Sequence, residues 1–305
     1  MTRARAGSFT IAAIMKHSIL YISITLAALF ASGCTTTMTS MTDARAYEPG
    51  EVQASVSYQA NVHTNVVGGV VSGVKSAAEE FSDQDNKEPI SEESFRNWLD
   101  TALLVGLFRP STSPEVIVRA GVTDQLAEGL DLGFRTNLSY FKGDAKLQLW
   151  ESEDTEQAIS LMAGYAYHRD WLNSFISYLS LTDFGRHDFD LQLLWGRNIR
   201  DILKVNVGPH VILSKVTASH KLSAEVLDRL PDSLKQFDPN QLFQDEWIGY
   251  YGANTNVMVG YKYAFIALDL GIFWMNFKPE VLGVERDYSS FAVSVAGGLS
   301  FHYQF

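Results

Sequence analysis

SSFAVSVAGGLSFHYQF, residues Ser289 to Phe305, is the stretch whose reading decides the fold. Phe291, Val293, Val295, Gly297, Leu299, Phe301, Tyr303 and Phe305 fall on one face of an extended chain. Ala292, Ser294, Ala296, Gly298, Ser300, His302 and Gln304 fall on the other. A strand of a soluble domain runs for about five or six residues, whereas this alternation runs from Phe291 to the last residue with aromatics gathered at its end. A tilted strand crossing a bilayer takes about 9 to 11 residues and places aromatics at the interface. The stretch therefore predicts a membrane-crossing strand.

The same two-residue period recurs upstream. Val52, Ala54, Val56, Tyr58 and Ala60 alternate with Gln53, Ser55, Ser57, Gln59 and Asn61; Leu130, Leu132 and Phe134 with Asp131, Gly133 and Arg135; Ile266, Leu268, Leu270 and Ile272 with Ala267, Asp269, Gly271 and Phe273. A soluble sandwich would carry shorter strands with charges outside, so the apolar face is read as facing lipid. Strands are expected near 51–61, 113–122, 128–141, 144–152, 156–168, 187–198, 202–216, 248–263, 264–277 and 289–305. The fold class is then all-β, an antiparallel transmembrane barrel of about ten strands, or twelve if another forms near Asn65 to Ser72.

An even count leaves both ends on one side, with short connections at 123–127, 153–155, 199–201 and around 263. The long connections 62–112, 169–186, 217–247 and 278–288 fall on the other side, beside a tight turn at Lys142 and Gly143. Helical stripes are expected in these loops: Phe95, Trp98, Leu99, Ala102 and Leu103 after a capping Ser91; Trp171, Phe175, Tyr178 and Leu179; and Val226, Leu227 and Leu230 after Ser223.

At the other end of the chain, Lys16 and His17 precede the apolar run Ser18 to Phe30. That run is shorter than the roughly 20 residues a spanning helix needs and ends in small residues, so it reads as an export signal with Met15 as an alternative start. Ala31, Ser32 and Gly33 before Cys34 resemble the lipobox of bacterial lipoproteins. The closing alternation and terminal Phe305 resemble the C-terminal assembly signal of outer-membrane β-barrel proteins. These resemblances imply cleavage before Cys34, acylation of its sulfur, handling by the barrel assembly machinery, and contact with outer-membrane lipid and lipopolysaccharide. The domains are then 1–33, a lipoprotein signal peptide; 34–50, an anchor and flexible tether; and 51–305, the barrel. Cys34 is the only cysteine, so no disulfide forms within the chain.

The net charge is −11, and removing residues 1–33 takes away Arg3, Arg5 and Lys16 and no acid. Nucleic acid is therefore not an expected partner. Inward-facing polar residues include Asp131, Arg135, Asp188, Asp190, Lys204, His210, Lys262, Asp269 and His302. Charges of both signs inside a narrow barrel are read first as structural pairs. Ser300, His302 and Asp269 form a sterically conceivable catalytic set, but any polar lumen yields such neighbours. Asp188 and Asp190 are paired carboxylates that could take a divalent cation at the rim. No His-Glu-x-x-His zinc motif and no Gly-x-x-x-x-Gly-Lys phosphate loop occurs, so no metal or cofactor is expected. The expected role is a lipid-anchored scaffold or narrow passive channel with a loop-covered mouth. The alternatives are an outer-membrane lipid or ester hydrolase, or an anchored periplasmic binding module.

Overall fold

The computed structural model describes residues 37–64, 96, 100, 108, 111–123, 129–137, 140–152, 154–168, 179–180, 184–200, 202–218, 221–222, 246–281 and 284–305. The strands among them are β1 (Glu51–His63), β2 (Ser111–Thr123), β3 (Leu130–Thr136), β4 (Tyr140–Ser152), β5 (Gln157–His168), β6 (Leu179–Ser180), β7 (Phe184–Ile199), β8 (Leu203–Ala218), β9 (Lys221–Leu222), β10 (Glu246–Tyr261), β11 (Ala264–Asn276), β12 (Glu280–Val281), β13 (Val284–Glu285) and β14 (Ser290–Gln304). Ten of these close an antiparallel barrel in the order β1, β14, β11, β10, β8, β7, β5, β4, β3, β2. Ser289 to Phe305 supplies β14, and β14 makes the closure. It sets Tyr303 opposite Val52 on β1 and Phe301 opposite Ala264 on β11.

The polarity of the barrel is inverted relative to a soluble protein. On β11, Leu268 is 60% exposed whereas its neighbour Asp269 is 1% exposed. Val56, Leu132, Phe134, Leu191, Ile266 and Leu299 likewise face outward, while Gln53, Arg119, Arg135, Lys146, Asn206 and Asn254 are buried inside. In water each exposed apolar side chain forfeits about 25 cal/mol per Å²; in hydrocarbon that penalty vanishes, and a closed sheet leaves no backbone edge unsatisfied. Tyr261, Tyr263, Tyr303 and Phe305 are exposed around one rim, Trp247, Tyr251, Trp274 and Phe291 around the other. These are two interfacial girdles.

The rim next to Phe305 carries the short connections, as expected. Gly129, Glu156, Arg200 and Lys262, one in each of its four connections, all have positive φ, the left-handed conformation that tight reversals use. The turn expected at Lys142 and Gly143 lies instead at Asn137, whose side chain accepts from the Tyr140 amide at 2.9 Å. Lys142 and Gly143 belong to β4. The alternation runs through them because Lys142, Asp144 and Lys146 all point inward to ionic partners.

At the opposite rim β12 pairs with β13, and β6 pairs with β9, joining the loop after β5 to the loop after β8. Of the first expected helix, Arg96, Asp100 and Phe108 are helical. The rest of that segment, the stripe from Ser223, and Trp171, Phe175 and Tyr178 lie outside the described residues. So does Asn65 to Ser72. Leu179 sits in β6 rather than in a helix.

The largest departure concerns the tether. Thr37 to Ala44 are buried, with all but Met41 and Asp43 fully so, and they run inside the barrel rather than hanging beneath it.

Candidate functional site

The lumen is built around residues 37–50. Starting from the short-turn rim, Pro49 bridges to Gly121 on β2, where a Cβ would meet the Glu48 carbonyl at 2.0 Å. Only glycine permits that approach. Arg45 pairs with Glu51 at 3.2 Å, and Tyr47 donates to Gln53 at 3.1 Å while its amide donates to Asp131 at 3.2 Å. Ala46 and Ala44 give their amides to the side-chain oxygens of Gln148 and Asn206, at 2.6 and 2.8 Å. The segment therefore satisfies its backbone on inward side chains, as a buried chain without a strand partner must.

Higher up, two lysines from different strands converge on one carboxylate and its flanking carbonyls. Lys204 pairs with Asp43 at 2.8 Å. Lys146 donates to the carbonyls of Asp43 at 2.7 Å and Arg45 at 2.8 Å, and pairs with Asp131 at 3.0 Å. Above them Asp269 Oδ2 accepts from the Ser40 amide at 3.1 Å, the Ser40 hydroxyl at 2.8 Å and the Met41 amide at 3.2 Å. Arg135 donates to the carbonyls of Thr39 and Ser40, and Asn254 to that of Met38.

The remaining wall charges pair among themselves. Arg119 bridges Asp131 and Asp144, Lys142 pairs with Asp190, and Asp188 takes His168 and Arg186 at 2.9 and 2.8 Å. Gly133 leaves room for the Arg119 head, since a Cβ there would lie 2.5 Å from its Nη2. Glu115 lies 3.7 Å from Arg135, and His210 Nδ1 donates to Asn254 Oδ1 at 2.8 Å. At the long-loop rim Phe108 is buried between His63 and Phe277, with ring centroids at 5.2 and 5.5 Å, and Phe277 adjoins Tyr288. These rings pack together at the mouth. Outside it Tyr288 donates to Asp100 at 2.7 Å, and Arg286 pairs with Asp100 at 3.3 Å. Burial, and then this bond to Asp100, push the Tyr288 phenol well above its ordinary value.

Most inward residues named from the alternation do face the lumen. Lys262 is the exception: it stands on the exposed turn between β10 and β11, its ammonium 5.4 Å from the centroid of the Tyr261 ring. The strand ends one residue earlier, so the alternation no longer governs it. His302 is half-buried near the short-turn rim. Ser300 and His302 meet at 3.1 Å, but the recorded partners of Asp269 are Ser40, Met41 and Asn254 rather than His302. The third position of a catalytic set is thus taken by the N-terminal segment. Asp188 and Asp190 are each already neutralised by a cation, and among the described residues no group of three His, Cys, Asp or Glu side chains comes together for a metal.

Glu115, Arg119, Lys142, Asp144 and Arg186 escaped the sequence reading. Glu115 and Arg119 alternate with Val116 and Val118 in β2, so the period itself could have placed them. The internal course of 37–50 had no such signal.

No protein-family model matches the chain, and no curated protein does. Solved structures do resemble it. Neisserial surface protein A covers 84% of this chain over 96% of its own length at 9% identity and a TM-score of 0.30. OprG from Pseudomonas aeruginosa covers 86% over 100% at 10% and 0.32, and the outer-membrane protease OmpT from Escherichia coli 85% over 99% at 9% and 0.33. Like them it is a β-barrel, and its own closed ten-stranded topology with apolar side chains outside and charges within marks it as membrane-spanning. That likeness extends to architecture alone, and no residue role passes with it.

Proposed function

We propose that this chain is an outer-membrane lipoprotein whose ten-stranded barrel is a membrane-embedded scaffold, held shut by its own residues 37–50. The observation that carries the reading is the burial of Thr37 to Ala44 against inward side chains on β3, β4, β8, β10 and β11. A barrel near ten strands has an interior that side chains almost fill, and a peptide laid through it removes the water path a passive channel needs. Phe108 and Phe277 pack together at the long-loop end of the lumen as well. The short-turn rim faces the periplasm in this reading, as it does in outer-membrane barrels generally.

Acylation at Cys34 comes from the sequence, and the seated segment sets terms for it. Met38 lies level with Asn254 and Gly271, and Gly271 is seven residues along β11 from Ala264. At about 3.3 Å per residue and a tilt of about 40°, that is roughly 18 Å above the short-turn rim. Cys34 precedes Thr37 by three residues, a reach of at most about 11 Å. A lipid on Cys34 therefore cannot enter the periplasmic leaflet while residues 37–44 stay seated; anchoring there requires the segment to leave its bed.

The test is conductance. Purified protein in planar bilayers is expected to show no steady current, and Asp269→Ala combined with Arg135→Ala to show flickering openings. A steady ohmic current from the unaltered barrel overturns the scaffold reading in favour of a channel.

A further inference from the structure

At the short-turn rim a cavity of about 350 Å³ opens between the N-terminal segment and strands β1, β8, β11 and β14. Its wall carries Arg45, Lys204 and Lys262 against a single carboxylate, Glu51. That is a cationic lining in a chain whose net charge is −11. Asp43, which holds Lys204, is 2% exposed and does not line the cavity. Arg45 gives Glu51 only Nη2, and its side chain remains about a third exposed, leaving further guanidinium donors for another acceptor. Lys262 rests on the Tyr261 ring and has no carboxylate partner among the described residues. Lys262 is also among the residues that line the cavity.

The rest of the lining is aromatic. Tyr263 and Tyr303 reach it from the turn after β10 and from the end of β14, and both belong to the exposed girdle of that rim. A girdle of this kind marks the depth of lipid headgroups. The entrance is thus rimmed by rings that suit glycerol or acyl carbons, and the interior by cations that suit a phosphate.

We propose that this cavity binds a phosphate group, carried by a phospholipid headgroup of the adjoining leaflet or by a soluble phosphate compound. Arg45 and Lys262 supply the donors, and Lys204 supports the field from beneath. The lipid source rests on the outer-membrane reading above; the phosphate site itself does not.

The experiment is calorimetric titration of the full-length protein in a maltoside detergent, with three probes: inorganic phosphate, dihexanoyl phosphatidylglycerol, and dihexanoylglycerol, which lacks the phosphate. Saturable binding of the phospholipid but not of dihexanoylglycerol is expected, weakened about five-fold in Lys262→Ala and in Arg45→Ala. Lys278→Ala, at the other rim, is expected to bind as the unaltered protein does. Phosphate binding as tightly as the phospholipid supports the site with a soluble source. Binding of neither phosphate compound, or binding undiminished in both folded variants, overturns it. Because these measurements are made without a bilayer, a failed conductance test leaves them readable.

Discussion

Asp269 on β11 and Arg135 on β3 grip the same peptide from different sides of the lumen: the carboxylate takes the amides of Ser40 and Met41, and the guanidinium takes the carbonyls of Thr39 and Ser40. The two walls are four strands apart by the shorter way round the barrel. A peptide group donating to one wall and accepting from another has its rotation fixed as well as its position. Residues 39–41 are therefore the clasp of the segment.

Asp269→Ala strips the acceptor from two buried amides and a hydroxyl at once, and buried donors left unsatisfied cost about 1–3 kcal/mol each. Loss of about 3 kcal/mol is expected in urea unfolding of the folded barrel in detergent micelles. Asp269→Asn keeps one acceptor oxygen and is expected to lose about half as much. Equal stability of Asp269→Ala and the unaltered protein would show that the clasp contributes nothing.

Arg119 is buried with Asp131 and Asp144, and one guanidinium serves both. Arg119→Met is expected to destabilise by about 3–5 kcal/mol because two carboxylates stay buried without it. Asp144→Asn added to Arg119→Met should recover part of that loss. A double-mutant cycle that comes out additive would separate the two residues energetically.

Seating can be trapped. In a Cys34→Ala background, Ser40→Cys with Asp269→Cys places two thiols where a hydroxyl and a carboxylate now stand 2.8 Å apart. The exported, oxidised protein is expected to run faster on a non-reducing gel than on a reducing one. If only free thiols are recovered, residues 37–44 do not occupy the lumen in the membrane.

The loop tie between Tyr288 and Asp100 has a pH dependence of known sign. The neutral phenol donates to the carboxylate, and its folded value is raised above the ordinary 10.0. Its contribution is complete below about pH 10 and fades as the phenol ionises at higher pH. Protease nicking of the long loops in intact cells is expected to rise in Tyr288→Phe at neutral pH. No difference between the two proteins would mean that this contact does not hold the loop.

How much of this could be read in the residues follows from where the period of two applies. β14 and β11 were legible because residues from Ala264 to Asn276 and from Ser290 to Gln304 alternate between exposed, mainly apolar side chains and inward ones, the inward set of β14 small or polar and that of β11 carrying Asp269. The turn at Asn137 was missed because Lys142, Gly143 and Asp144 look like turn residues until their inward ionic partners are known. Lys262 was misplaced because the alternation stops at Tyr261. Residues 37–50 were read as a tether because Thr, Ser and Met carry no period, and their partners, Asp269, Arg135, Lys146 and Lys204, come from strands distant in sequence. A peptide bedded on side chains alone leaves no pattern of its own.

β1 and β14 join over thirteen facing residue pairs, from Glu51 with Gln304 to His63 with Ala292, and the chain just before β1 doubles back inside the ring those strands complete. A finished ring gives that segment no sideways entry. Residues 37–44 can then reach the inner walls in two ways only, along the barrel axis from the short-turn rim or before the last strand arrives, as a mandrel sits in a tube being rolled around it. A barrel whose seam zips first holds Asp269 and Arg135 without their peptide, and its charged interior stays unfilled until the segment enters along the axis.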